Sequence, residues 1–186
     1  MLSLTKKWGK PREIVTSNLL SRPFDAHKDR DCIHLLDVGV GVADTVEFLK
    51  QYLCKVYFLD LADELAGDDP QAISKTLDSY TGELFDVCLF WDLLHQLSGP
   101  QLELLSNALE PYIYSGTQVH SIVNLMRPTE RYRIRGPDQF EVINGKAREY
   151  HPWSFTQFAK HFHCFQITRD ELREDGQLEM LLEVPV

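Results

Sequence analysis

The sequence predicts a three-layer α/β/α sandwich whose seven-stranded, mainly parallel sheet ends in an antiparallel strand. Short apolar runs alternate with segments whose apolar residues recur at helical spacing, which is typical of a parallel sheet covered by helices on both faces. Near the carboxyl terminus two apolar runs are joined through Asp175-Gly176, a hairpin signal. In the second run Leu178, Met180 and Leu182 alternate with mostly polar neighbours, as expected of an antiparallel edge strand.

The elements follow one another within a single domain of residues 1–186. Residues 1–31 form a polar N-terminal extension, in which Ile14 to Leu20 is predicted to be a short helix over the sheet. The predicted strands are Ile33–Asp37, Lys55–Leu59, Ala72–Leu77, Phe85–Phe90, Val119–Leu125, Cys164–Ile167 and Leu178–Val184. The predicted helices are Val42–Leu53, a helix that opens at Ser98-Gly99-Pro100 and closes at Gly116, and an aromatic stripe from Trp153 to Phe162.

Composition limits the function. The formal charge of −9 argues against a general affinity for nucleic-acid backbones, so no DNA partner is expected. Four scattered cysteines without a C-x-x-C pair indicate free thiols in a reducing cytoplasm, which predicts a cytoplasmic protein. The apolar run from Val87 to Leu94 is short and interrupted by Asp92, so no membrane span is expected.

A glycine-spaced turn between a predicted strand and a predicted helix marks a nucleoside site. The first apolar strand ends in Asp37, and Gly39 and Gly41 follow before the helical pattern begins. Glycines at this place let a ligand approach bare backbone at the carboxyl edge of a parallel sheet. The second strand ends in Asp60, where the ribose hydroxyls of a bound nucleoside would be held. The spacing is not Gly-x-Gly-x-x-Gly, which disfavours an NAD-dependent oxidoreductase.

At these residues the chain resembles the class I S-adenosylmethionine-dependent methyltransferases. The family's motif, acid-x-Gly-x-Gly-x-Gly, matches Asp37, Gly39 and Gly41, with Ala43 in place of the last glycine. The segment from Phe85 to His95 looks like the family's fourth-strand motif with its Leu-His turn, and the closing hairpin matches its sixth and seventh strands. The resemblance covers residues 32–126 and 150–186.

The resemblance implies S-adenosylmethionine as the cofactor and assigns roles to single residues. Asp37 would orient the loop or accept from the cofactor's amino group, and Asp60 would hold the ribose. Asp78, at the end of the third predicted strand, would contact the adenine, although the short stretch from Asp60 to Phe85 leaves that pocket open. Trp91 and Asp92 would shape the methionine end. His95 would lie at the mouth of the site, either as a general base or as a histidine at the start of a helix that hydrogen-bonds to the backbone.

The methyl acceptor is predicted to be a small molecule. After the fourth strand the sequence lacks the Asn/Asp-Pro-Pro-aromatic motif of enzymes that act on nucleobase amines, and it has no Pro-Cys pair for cytosine chemistry. Residues 127–150 form an inserted basic arm, in which Ile134 and Val142-Ile143 predict a β-hairpin. In the resembled family this position lies over the substrate pocket. The arm is therefore either a lid that recognises a carboxylate or phosphate, or a solvated arm or homodimer contact; its candidate substrate-binding residues are Arg131, Tyr132, Arg133 and Arg135.

Two functions stay open at this point. An active methyltransferase is the leading hypothesis, and the alternative is a methyltransferase-like domain that has lost catalysis and serves as a binding or regulatory module. The shortened adenine region and Ala43 are compatible with the alternative. His161 and His163 flank Phe162 without a third ligand nearby, so no metal site is predicted. His120 is predicted to be a hydrogen-bonded core residue of the fifth strand.

Overall fold

The computed structural model describes residues 13–39, 43–59, 61, 72–124, 130–144, 151–173 and 176–185. Its strands are β1 Glu13–Thr16, β2 Ile33–Asp37, β3 Cys54–Phe58, β4 Val87–Trp91, β5 Gln118–Asn124, β6 Glu130–Gly136, β7 Gln139–Asn144, β8 Gln166–Leu172 and β9 Gln177–Glu183. Its helices are α1 Arg22–Ala26, α2 Ala43–Leu49, α3 Ala72–Leu77, α4 Gly99–Leu109 and α5 Phe155–His161. Short 3₁₀ turns cover Asp78–Tyr80, Leu93–Gln96 and Glu110–Tyr112.

The main sheet has six strands in the order β3-β2-β4-β5-β9-β8. The first four are parallel, and β9 runs antiparallel to both β5 and β8. The predicted fold class, a mainly parallel sheet finished by an antiparallel strand, is confirmed. Because β2, β3, β4 and β5 run in one direction, the chain segments that leave their carboxyl ends meet at one edge of the sheet.

The predicted seventh strand is absent from the described residues, because Ala72–Leu77 is the helix α3. Ile73 and Leu77 are both buried, whereas Ser74 and Lys75 between them are exposed. That spacing of four is helical. The prediction was wrong because a six-residue segment with few apolar positions fits either period. The predicted helix from Ile14 to Leu20 was also wrong, since its first residues belong to β1.

A second, three-stranded sheet lies in the order β1-β7-β6. The hairpin predicted within residues 127–150 is present as β6 and β7. β1 pairs antiparallel with β7, with Glu13 opposite Val142, so the N-terminal extension supplies the third strand. Tyr132, Ile134 and Phe140 are buried, because this hairpin sheet lays its apolar face on the main domain.

The main sheet separates two apolar cores. One core contains buried residues of α3, α4 and α5, and the other contains those of α1, α2 and the hairpin sheet. The second core includes Trp91 at the end of β4 and Tyr132 from the hairpin. The hairpin sheet therefore acts as part of a covering layer beside the carboxyl end of β4. Within the described part of the chain, no helix is long and apolar enough to cross a membrane.

Candidate active site

Asp37 and Trp91 meet at the carboxyl ends of the neighbouring strands β2 and β4. The Trp91 indole Nε1 donates a hydrogen bond to Asp37 Oδ1 over 2.7 Å, and the backbone N–H of Gly39 donates to the same oxygen over 2.8 Å. The other oxygen, Oδ2, has no hydrogen-bond partner among the described residues. Burial raises the pKa of Asp37 to about 6, although both hydrogen bonds favour its charged form. The site thus holds a buried carboxylate with one oxygen still available to a donor.

Gly39 makes room for the indole of Trp91. A Cβ built on Gly39 would lie 2.9 Å from Trp91 Nε1, closer than real contacts of this kind. The sequence predicted that Gly39 lets a bound ligand approach the backbone, whereas the structure shows that a side chain of the protein itself lies against this glycine. Two other predicted cofactor residues, Gly41 and Asp60, lie outside the described residues, and for Ala43 only its place as the first residue of α2 is described.

Trp91 has an unusual backbone conformation. Its φ is +50°, in the left-handed region that a bulky residue rarely enters. The pairing of β4 with β5 shifts register between Leu89 and Trp91, an irregularity that re-aims a side chain. Hydrogen bonds hold the residue in place, because Ser121 Oγ donates to its carbonyl oxygen over 2.8 Å and Asp37 fixes its indole. Strain that is held in this way is a mark of functional sites.

His95 lies in the 3₁₀ turn after β4, and its ring points into a core. It is only 5% exposed, and its ring stacks on that of Phe158 in α5 with centroids 6.3 Å apart and planes 15° apart. Burial lowers the pKa of His95 to about 4, so the ring is neutral at physiological pH. The 3₁₀ turn directs the side chain towards α5, which the sequence did not indicate. Its role as a general base stays a prediction. Asp92, the residue after β4, is also largely buried.

Asp78 is the first residue of the 3₁₀ turn Asp78–Tyr80. It follows α3, and its Oδ1 accepts a hydrogen bond from the hydroxyl of Tyr112 over 3.4 Å. The carbonyl of Tyr112 in turn accepts from the backbone N–H of Phe85, two residues before β4 begins. Asp78 therefore belongs with residues that precede β4 and β5. The segment before it, which was predicted as a strand, is the helix α3, and the contact of Asp78 with adenine stays a prediction.

The arginines of the hairpin face a carboxylate of the same hairpin. Arg133 places Nε 2.9 Å and Nη2 2.7 Å from Glu141 Oε2, and Arg135 places Nε 2.6 Å and Nη2 2.5 Å from the same oxygen. Burial opposes ionisation of Glu141, but the two guanidinium groups outweigh it and hold its pKa below the ordinary value. Glu141 thus balances one of the two positive charges of Arg133 and Arg135. The side chain of Arg131 is outside the described part of the structure.

Tyr132 points inwards. Its ring stacks on Trp91 with centroids 5.9 Å apart and planes 11° apart, and its hydroxyl donates to Gln177 Oε1 over 3.1 Å. This predicted substrate-binding residue therefore lies against the same indole that contacts Asp37 and Gly39.

A buried His–Glu pair lies on the other side of Trp91, and the sequence prediction missed it. His120 Nε2 and Glu179 Oε1 are 2.6 Å apart, and neither side chain is exposed. The His120 ring meets the indole of Trp91 edge to face, with centroids 6.4 Å apart and planes 78° apart. Glu179 is one of the polar residues that alternate with the apolar residues of β9. It is buried because β8 is the edge of the sheet and the hairpin sheet adds a layer on that face.

Comparisons with known proteins identify the fold. No protein-family model matches the sequence, and no curated protein is similar to it in sequence. The 1,6-didemethyltoxoflavin-N1-methyltransferase of Burkholderia thailandensis matches 91% of this chain and 78% of its own, with a TM-score of 0.52 at 15% identity. An S-adenosylmethionine-dependent methyltransferase of Clostridium acetobutylicum matches 92% of this chain and 93% of its own, with a TM-score of 0.51 at 11% identity. The glycopeptide N-methyltransferase MtfA has a TM-score of 0.50 at 12% identity, over 91% of this chain and 95% of its own.

The chain has the fold of the class I S-adenosylmethionine-dependent methyltransferases. At these identities the likeness concerns the fold, so an activity has to be argued from the site residues. In a sheet of this type ligands bind beyond the carboxyl ends of the parallel strands. Of the predicted site residues that the structure describes, Asp37, Gly39 and Trp91 converge at that edge. At the edge of the sheet where ligands of this fold bind, the chain therefore has a carboxylate that can accept a hydrogen bond from a cationic group.

Proposed function

We propose that the protein binds S-adenosylmethionine at the carboxyl edge of its main sheet and transfers the methyl group to a small molecule. The observation that carries the proposal is the state of Asp37. One carboxylate oxygen fixes Gly39 and Trp91, and the other takes no hydrogen bond from the described residues. A buried carboxylate with an unused oxygen suits the ammonium group of an amino-acid moiety, because a charge-assisted hydrogen bond offsets its desolvation.

The ligands of the structural neighbours support this choice of cofactor. The Burkholderia thailandensis enzyme was crystallised with 1,6-didemethyltoxoflavin and S-adenosylhomocysteine, and MtfA with S-adenosylmethionine. The presence of 1,6-didemethyltoxoflavin in the Burkholderia thailandensis enzyme also supports a small molecule as the methyl acceptor. An anionic acceptor has less support, because Glu141 already pairs with Arg133 and Arg135.

Each residue of the site has a defined task in the proposed reaction. Bound S-adenosylmethionine supplies an electrophilic methyl group, and its in-line transfer depends mainly on alignment and on exclusion of water. Asp37 orients the amino-acid end of the cofactor, and Asp60 accepts hydrogen bonds from the ribose. Trp91 is held by Asp37 and Tyr132, so its rigid indole forms an apolar wall beside the reacting groups. Asp92 contributes to the methionine end of the pocket.

Isothermal titration with S-adenosylhomocysteine tests the proposal directly. Asp60→Ala is expected to weaken binding by about 1.5–3 kcal/mol, the range for a hydrogen bond to a charged group. Asp170→Ala is the matched control and should bind as the wild type does, because Asp170 is exposed on the edge strand β8. If the folded wild type gives no heat with S-adenosylhomocysteine or S-adenosylmethionine at millimolar concentration, the methyltransferase proposal fails and the binding-module alternative takes its place.

A further inference from the structure

Ser121 on β5 is a polar residue within an apolar face of the main sheet. Its neighbours on the same face of the strand, Val119 and Val123, belong to the core that contains α3, α4 and α5. Ser121 is completely buried, and a buried hydroxyl needs a hydrogen-bond partner. It has that partner in the main chain of β4, because Ser121 Oγ donates to the carbonyl oxygen of Trp91 over 2.8 Å.

The hydroxyl of Ser121 and the indole of Trp91 lie on opposite faces of the main sheet. The indole belongs to the second core, beside α2 and the hairpin sheet, whereas the face of Ser121 belongs to the first core. Ser121 therefore meets the backbone of Trp91 from behind the candidate site. Its influence on the site passes through the conformation of Trp91.

The backbone of Trp91 needs such a restraint. Its φ of +50° costs free energy for a bulky residue and persists only where the surroundings hold it. β4 has one extra residue, Phe90, where its pairing with β5 shifts register, so that Trp91 lies directly opposite Ser121. The bulge and the positive φ turn the side chain so that Trp91 Nε1 donates to Asp37 Oδ1 over 2.7 Å.

We propose that Ser121 is a positioning residue of the candidate site, which holds the main chain of Trp91 so that the indole stays hydrogen-bonded to Asp37. The inference rests on the proposed function, since it concerns the carboxylate that receives the ammonium group of the cofactor. Without the hydroxyl of Ser121 the backbone of Trp91 relaxes and the indole moves away from Asp37. The carboxylate then loses one of the two hydrogen bonds that fix it.

The ionisation of Asp37 depends on the indole. Burial raises the pKa of Asp37, and the hydrogen bond from Trp91 acts in the opposite direction because it stabilises the carboxylate. Loss of this bond should raise the pKa further, by about 0.5–1 pH unit, which is the equivalent of one net hydrogen bond. Ser121 thereby sets the pH range in which the site accepts a cationic group. The other titratable groups around the indole are His120 with its partner Glu179, the phenol of Tyr132, and Asp92, the next residue of the chain.

Proton–nitrogen NMR of the indole groups tests the proposal in the free protein. Trp91→Phe assigns the Nε1–H signal of Trp91, which should follow the ionisation of Asp37 with a midpoint at pH about 6. Asp37→Asn should remove this pH dependence, which distinguishes Asp37 from the other titratable groups. Ser121→Ala should move the signal towards that of an indole without a hydrogen bond and should raise the midpoint. An unchanged signal and midpoint in Ser121→Ala would overturn the proposal.

Ser106→Ala is the matched control for the loss of a buried hydroxyl. Ser106 is as completely buried as Ser121, but it lies on α4 and its hydroxyl contacts residues that follow α5. This variant should leave the Trp91 signal and its midpoint as they are in the wild type. A change as large as that in Ser121→Ala would mean that any buried serine has the same effect, which contradicts a positioning role.

A second pair of variants separates the hydroxyl from the space that it fills. Ser121→Thr keeps the hydroxyl, and Ser121→Val has nearly the same shape as the threonine variant but lacks the hydroxyl. The threonine variant should keep the wild-type signal and midpoint, and the valine variant should resemble Ser121→Ala. Thermal melting shows which variants are folded, and the same midpoint in the threonine and valine variants would refute the role of the hydroxyl.

Calorimetry with S-adenosylhomocysteine connects the indole to binding. The affinity of the wild type should rise with pH as Asp37 ionises. Ser121→Ala should bind about two- to fivefold more weakly at pH ~6, where less of its carboxylate is ionised, and should approach the wild type at pH ~8. A ratio that stays constant over this range would contradict an effect through Asp37. If the wild type binds no S-adenosylhomocysteine, the proposed function fails, and the indole signal of the free protein still decides whether Ser121 positions Trp91.

Discussion

Replacing Asp37 by Asn should make the protein more stable and less able to bind its cofactor. Asn has the same shape, and its side-chain carbonyl oxygen can accept both hydrogen bonds that Asp37 Oδ1 receives from Gly39 and Trp91. What is lost is the buried negative charge. Burial of this charge destabilises the folded protein when the site holds no ligand, and a bound cation offsets that cost.

The size of the effect follows from the pKa of Asp37, which burial raises from 3.8 to about 6. In the folded protein the carboxyl group is protonated more readily than in the unfolded chain. Between these two values the folded state therefore binds more protons, so the free energy of unfolding falls as the pH rises. A shift of about two units corresponds to roughly 3 kcal/mol, which is present in full above the folded pKa. Asp37→Asn should recover this amount at pH ~7 and almost none at pH ~4.

Urea unfolding of the wild type and Asp37→Asn, followed across this pH range, checks the prediction. The difference between the two curves is needed because His95 titrates in the same range with the opposite sign. Asp170→Asn on the exposed strand β8 serves as the control, and its free energy of unfolding should change with pH as that of the wild type does. A difference that does not change with pH, or a variant less stable than the wild type at neutral pH, would refute the reasoning. Calorimetry should show weaker binding of S-adenosylhomocysteine to Asp37→Asn.

Three further outcomes test the local structure. Gly39→Ala should lower the free energy of unfolding by about 1–3 kcal/mol, because its Cβ would press on the indole 2.9 Å away, whereas Gly136→Ala, with nothing within 4 Å, should change little in urea unfolding. The hydroxyl of Thr45 accepts a hydrogen bond from the buried N–H of Ile134 over 3.2 Å. Thr45→Val removes this acceptor and should lower the free energy of unfolding by about 1–3 kcal/mol. Unchanged hydrogen exchange at the Ile134 amide would contradict this contact. His95 should titrate by NMR near pH 4, and stability should fall as the pH drops from 6.5 towards 4, since the unfolded chain binds the proton more readily; a titration near 6.5 would contradict its burial.

The order of strands and helices could be predicted because it depends on local patterns. An apolar run such as Ile33–Asp37 forms a strand wherever it is buried on both faces, and the glycine spacing after Asp37 predicts a tight turn. The carboxyl ends of parallel strands lie at one edge of a sheet. The sequence alone therefore predicts that Asp37 and Trp91 lie at the same edge. The hairpin around Gly136 was predictable for the same reason, as a local turn between two alternating runs.

Pairings between distant residues could not be predicted from such patterns. Glu13–Thr16 becomes a strand because β7 offers an unpaired edge more than 120 positions later, and Ala72–Leu77 becomes a helix because its two buried side chains face one core. His120 and Glu179 are adjacent in space only after β9 pairs with β5 and the hairpin sheet covers that face. Burial and charge pairing between such groups depend on the assembled layers, because the free energy of a buried polar group is set by the neighbours that folding brings to it.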